Sequence, residues 1–161
     1  MKNILIPTDF NTESLSCIND LCRQYENGQF QLTFIHLFKI SDSISELLML
    51  SRRNKEYEYV SDDFYATCEQ LKQQHPQIRG IKVDFFYVST LGMFKNYLEA
   101  HSIDAVLDLD KCSLRPLNKL SVNPEHLIQK CGLEILRVQP QPVAAQTEKR
   151  YAREALLQEA V

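Results

Sequence analysis

A short apolar run, Ile4-Leu5-Ile6, ends in Pro7, and Thr8, Asp9 and Asn11 follow it ahead of an amphipathic stretch. That order constrains the fold more than any other feature of the chain. An unbroken apolar strand suits a parallel sheet covered on both faces. Proline has no N–H to give to a ladder, so Pro7 is expected to stop the strand. The stretch therefore reads as strand, tight loop, helix. In open α/β sheets ligands sit outside the carboxyl ends of the strands, which makes Thr8 and Asp9 the first candidate site residues.

The same alternation repeats down the chain. Asn11 is placed to cap a first helix, with Leu15, Ile18, Leu21, Cys22 and Tyr25 at helical spacing and Gly28 beyond its end. Leu32–Phe38 is dense enough in apolar residues for a central strand, and His36 inside it reads as a partly buried structural histidine. Ser43-Ile-Ser-Glu46 matches a capping box ahead of Leu47–Leu50. Ser61-Asp62-Asp63 caps a further helix with Phe64, Cys68, Leu71 and His75 on one face and Pro76 at its end. Ile81–Tyr87 alternates as a strand near a sheet edge does. Ser89 or Thr90 opens a helix with Leu91, Phe94, Tyr97 and Leu98 inward, and Ala105–Leu109 is a fourth strand. Asn123-Pro-Glu125 begins a last helix closed by Gly132, and Leu133–Val138 is a fifth strand whose charges place it at an edge or against another subunit.

The elements read β-α-β-α-β-α-β-α-β: an α/β, doubly wound, five-stranded parallel sheet. The pattern alone leaves strand order open. Residues 1–140 form one expected α/β domain within the 161-residue chain, and 141–161 a helical tail, with Ala152, Ala155, Leu156 and Ala160 at near-helical spacing.

Composition sets the outer limits. A net charge of -3 gives no general attraction to nucleic acid or anionic membrane. No apolar run approaches a membrane span, and no leader-like run precedes Pro7, so the expectation is a cytoplasmic protein. Five cysteines, Cys17, Cys22, Cys68, Cys112 and Cys131, lack CxxC pairing and read as free thiols of a reducing compartment.

Four segments carry a resemblance to the universal stress protein, or UspA-like, family: Asn3–Phe10, Phe34-Ile-His-Leu37, Ile103-Asp-Ala-Val-Leu107, and Glu125–Val138. The resemblance covers about Met1–Val138. It implies an adenine nucleotide alpha hydrolase-like fold with strand order 3-2-1-4-5 and a homodimer through Leu133–Val138. ATP-binding members of the family use an Asp after the first strand, matched by Asp9, and the end of the second, matched by Leu37. They also carry Gly-x-x-Gly, about nine residues, then Gly-Ser or Gly-Thr. Here the chain departs from them. Between Leu109 and Asn123 there is no glycine; Leu109 and Cys112 stand near the first pair and Ser121-Val122 near the last. Glycine lets phosphate approach backbone N–H groups without a β-carbon between them, and Asp108 and Asp110 oppose anions.

The leading reading is a non-enzymatic, stress-response-like regulatory or interaction module without a cofactor and with an unidentified protein partner. The alternative is a divergent adenine-nucleotide sensor binding ATP with magnesium through Thr8, Asp9, Leu37, Lys111, Arg115 and Lys119. A hydrolase built on Asp108, Asp110 and His126 lacks an organised nucleophile or metal spacing and stands last.

Overall fold

The computed structural model describes residues 1–40, 57–108, 115–117 and 119–137. The capping box at Ser43–Glu46, Lys111, Cys112 and the 141–161 tail lie outside those residues. Five strands, β1 (Lys2–Pro7), β2 (Phe30–Lys39), β3 (Ile78–Val88), β4 (Ala105–Asp108) and β5 (Glu134–Arg137), form one sheet in the order β3-β2-β1-β4-β5. Every pairing is parallel. Among the described residues the helices are α1 (Ser16–Gln24), entered through a 3-10 turn at Thr12–Leu15, then α2 (Asp62–Gln74), α3 (Leu91–Ala100) and α4 (Glu125–Lys130).

The caps fall where short polar side chains precede apolar periodicity. Asn11 Oδ1 accepts from Glu13 N–H at the 3-10 turn, at 3.1 Å. Ser61 Oγ accepts from Phe64 N–H at 3.1 Å, and Thr90 Oγ1 from Met93 N–H at 3.2 Å. Each satisfies a donor that the first turn of a helix leaves unpaired. Gly132 closes α4 with φ 82°, a left-handed conformation that costs glycine little. The far end of α1 is tied down from outside: the Gln77 amide donates to the carbonyls of Tyr25 and Glu26, at 2.8 Å each.

Pro7 is the last residue of β1, as the sequence leads one to expect. It stays in register with Ile35, and Thr8 N–H donates to Ile35 O at 2.8 Å. Successive N–H groups of a strand face opposite neighbours. With Thr8 facing β2, the bare nitrogen of Pro7 faces β4, past the last β1–β4 pair, Leu5 with Val106. The missing donor therefore costs no ladder bond.

Two apolar layers sandwich the sheet. Ile4, Ile6, Leu32 and Phe34 point to the face covered by Ile18, Leu21, Phe64 and Leu71 of α1 and α2. Leu5, Ile35, Leu37 and Val106 point to the face covered by Phe94, Tyr97 and Leu98 of α3 and Ile128 of α4. The alternation of neighbouring residues between layers is the strand period of two. The chain winds outward from β1 to β2 and β3, then returns to add β4 and β5 on the other side. The order reverses between β1 and β4, the position at which such sheets open a crevice beyond their carboxyl ends.

Candidate functional site

The carboxyl end of β1 turns sharply. Phe10 takes a left-handed φ of 62° although it is not glycine. The turn is fixed on both sides. Phe10 N–H donates to Thr8 Oγ1 at 3.0 Å, and the Phe10 ring lies edge-on to Phe64 at 5.4 Å and tilted against Phe85 at 5.1 Å. Burial of that ring offsets a backbone conformation that costs of order 1 kcal/mol or more.

Asp9 leaves this turn with both carboxylate oxygens engaged. Oδ1 accepts from Asn11 N–H at 3.0 Å and Oδ2 from Arg115 N–H at 3.1 Å. The first bond is local. The second reaches Arg115, between β4 and α4 in sequence, and holds that residue at the end of β1. Residues 120–122 are stitched to β2. Val122 N–H donates to Leu37 O at 2.9 Å, and Lys39 N–H donates to Leu120 O at 2.7 Å. Phe38 and Ser121 form an isolated antiparallel bridge.

His36 lies beneath these bonds, 5% exposed. Its Nδ1 is 2.7 Å from Thr8 O and its Nε2 2.8 Å from Ser121 Oγ. A backbone carbonyl only accepts, so Nδ1 carries the proton. A neutral ring then leaves Nε2 as an acceptor for the Ser121 hydroxyl. Ser121 Oγ in turn accepts from Leu117 N–H at 2.8 Å. One polar chain thus runs from Leu117 through Ser121 and His36 to Thr8. Burial holds the His36 pKa below the usual 6.5, and the bond to Thr8 and the nearby Asp9 carboxylate pull it partly back. The rings of Phe38 at 4.9 Å and Phe10 at 6.3 Å flank the imidazole.

The sequence-derived candidates therefore separate. Thr8 is 1% exposed and spends its N–H, carbonyl and hydroxyl on the fold. Asp9 stands at the end of β1 as expected, bonded to the chain's own amides. Leu37 is buried, with its carbonyl taken by Val122. Arg115 and Lys119, between β4 and α4 in sequence, are exposed, and Lys111 is outside the described residues. His126, a member of the hydrolase constellation, is exposed on α4. No group of three or more His, Cys, Asp or Glu that could hold a metal occurs among the described residues. A separate open cleft of about 420 Å³ lies at the opposite, amino end of β4, lined by Lys95, Glu99, Asp104, Cys131 and others. It shares no residue with the β1 turn.

Sequence reasoning missed the role of Ser121 as the partner of His36. The two stand 85 residues apart, and no local spacing links them. The one available signal was the place of Ser121 opposite the family's last Gly-Ser pair.

No family model matches the chain. No curated protein matches it either. Solved structures do match by shape. UspA from Lactobacillus plantarum is 13% identical, with a TM-score of 0.54 over 86% of this chain and 97% of that one. The hypothetical protein MJ0577 is 17% identical, with a TM-score of 0.54 over 87% of this chain and 96% of that one. The hypothetical protein PH0823 is 12% identical, with a TM-score of 0.53 over 85% of this chain and 94% of that one.

Proposed function

We propose that this chain, which has the fold of the universal stress proteins, is a non-enzymatic regulatory or interaction module of the stress-response type, acting without conventional ATP binding. The carrying observation is the closure of the sheet end by the chain itself. Both oxygens of Asp9 and the carbonyl of Leu37 already hold backbone N–H groups of Asn11, Arg115 and Val122. A ligand seated there must break these bonds and meet β-carbons where a phosphate nest needs glycine. Nothing in the polar chain resembles a working nucleophile. The Ser121 oxygen carries a hydrogen bond from Leu117, and the imidazole beside it is shut away from water.

A second reading keeps a place beside it: a divergent adenine-nucleotide sensor taking ATP with magnesium. One observation favours it. Asp9 stands at the β1/β4 switch point, where doubly wound sheets hold ligands, and exposed Arg115 and Lys119 lie between β4 and α4 in sequence. Isothermal calorimetry at neutral pH with Mg-ATP and with adenosine separates the two. The module reading expects no saturable heat from either. Micromolar Mg-ATP binding, weakened by Arg115→Ala or Lys119→Ala, overturns it in favour of the sensor.

The assembly belongs to the same proposal. β5 pairs only with β4 and is an edge strand, and its Glu134-Ile-Leu-Arg137 stretch, extended over Leu133–Val138, is the proposed homodimer contact. No described helix is long and apolar enough to cross a membrane. A cytoplasmic location and an unidentified protein partner complete the reading.

A further inference from the structure

We propose that residues 115–117 and 119–122 form a proton-responsive strap, fastened over the carboxyl end of β1 and β2 while His36 is neutral and released as His36 takes up a proton. This deepens the module reading by naming how its closed sheet end is regulated. The fastening is the chain Leu117 N–H, Ser121 Oγ–H, His36 Nε2, with Nδ1–H pinned on Thr8 O. Its polarity is fixed at the Thr8 end, because a carbonyl accepts only. The ring can accept from Ser121 in one protonation state alone. Protonation turns Nε2 into a donor, reverses the sense of the Ser121 bond and sets a cation between Phe10 and Phe38. Opening relieves that burial, because Ser121 is the group closing off Nε2.

The charged groups on the surrounding elements are Asp9 after β1, Lys39 at the end of β2, Asp84 on β3, and Arg115 and Lys119 on the strap. Asp9 is the one that bears on the ring, and it favours the cation. Its effect is smaller than the desolvation that opposes the cation. The sign follows from the two states. In the closed state His36 titrates below 6.5, and in the open state it titrates as an exposed histidine does. Closure is at full strength above the open-state value. It weakens as pH falls from there towards the closed-state value, and is constant below it. Release of the strap uncovers the second oxygen of Asp9 and the carbonyl of Leu37, the two acceptors that Arg115 and Val122 now occupy.

The test is amide hydrogen exchange of Leu117 and Val122, read by NMR on the full chain. Rates are divided by the intrinsic rate at each pH so that protection alone is compared. Between about pH 7.5 and about pH 5, either side of the ordinary histidine pKa, both amides should lose protection at the lower pH. His36→Gln, which cannot titrate, should abolish the difference. Ser121→Ala should leave both amides weakly protected at both pH values while the β2 amides stay protected, which controls for folding. Equal wild-type protection at the two pH values would overturn the strap, as would a pH response that survives His36→Gln. Either result leaves the module reading standing. Mg-ATP binding at neutral pH overturns the module reading and leaves the exchange experiment to decide the strap.

Discussion

Removing the Asp9 carboxylate distinguishes a residue held for the fold from one held for a ligand. The structure gives Asp9 two backbone donors, Asn11 at 3.0 Å and Arg115 at 3.1 Å. A hydrogen bond to a charged acceptor contributes about 1.5–3 kcal/mol, and this pair belongs at or below the low end because the Arg115 bond is solvent-exposed. Asp9→Ala should therefore cost about 2 kcal/mol, most of it from the turn that sets the left-handed Phe10. Asp9→Asn keeps one carbonyl oxygen for Asn11 but turns an amide NH2 towards Arg115 N–H, donor to donor, so it should cost roughly half as much. Urea unfolding followed by circular dichroism reads both. With a slope of about 2 kcal/mol/M, the alanine variant should lose about 1 M in its midpoint and the asparagine variant about 0.5 M. An unchanged midpoint for Asp9→Ala would refute the structural role. A raised midpoint would go further, because residues kept for a ligand commonly cost the free protein stability.

Phe64, 0% exposed and edge-on to both Phe10 and Phe34 at 5.4 Å, should cost about 3–5 kcal/mol when cut to alanine, read as a lowered calorimetric Tm. Gly132→Ala, forced into φ 82° with open space around its new methyl, should cost about 1 kcal/mol, from backbone conformation alone, in the same measurement. Burial pushes the Cys22 and Cys68 thiols up to about 11. Iodoacetamide on the native protein should therefore label half-buried Cys17 before Cys22 and Cys68, read by peptide mass spectrometry; equal labelling of those three would contradict the packing. Light scattering across a concentration series should give a mass of twice 18.7 kDa, and Ile135→Lys in β5 should return the monomer.

The inner strands β1, β2 and β4 were legible because each buries an apolar run, and α2 and α3 because Ser61 and Thr90 cap the apolar periods that follow them. Their limits were less so. β2 begins at Phe30 rather than Leu32, and β3 at Ile78 rather than Ile81, because the hydrogen-bond ladder outruns the apolar density. Gly80, which reads as a boundary, lies inside β3 opposite Gln31, where a β-carbon would run into the Gln31 amide. Pro7 reads as a stop, but the side of the strand that its nitrogen faces depends on which neighbour pairs there. Strand order came from family resemblance, since periodicity carries no information about which strands adjoin. At the site, Thr8 and Asp9 follow from the rule that strand ends hold the chemistry. The bonds from His36 to Thr8 and Ser121, and from Asp9 to Arg115, join residues 28, 85 and 106 positions apart. Only the assembled topology brings such pairs together.

The sheet is lopsided, and that has a consequence for how it comes apart. β2 and β3 are paired all the way from Phe30 to Lys39, whereas β4 and β5 share only 105–108 against 134–137. The β5 margin adds one exposed ion pair, Lys2 with Glu134 at 2.9 Å, of the kind that contributes little. Thermal agitation should therefore peel the molecule from the β5 selvedge inward, leaving β1, β2 and β3 as the last cooperative unit to melt. A partner that grips β5 would then do more than recruit a second chain. It would splint the weaker hem of the sheet, so that assembly and resistance to unravelling rise and fall together.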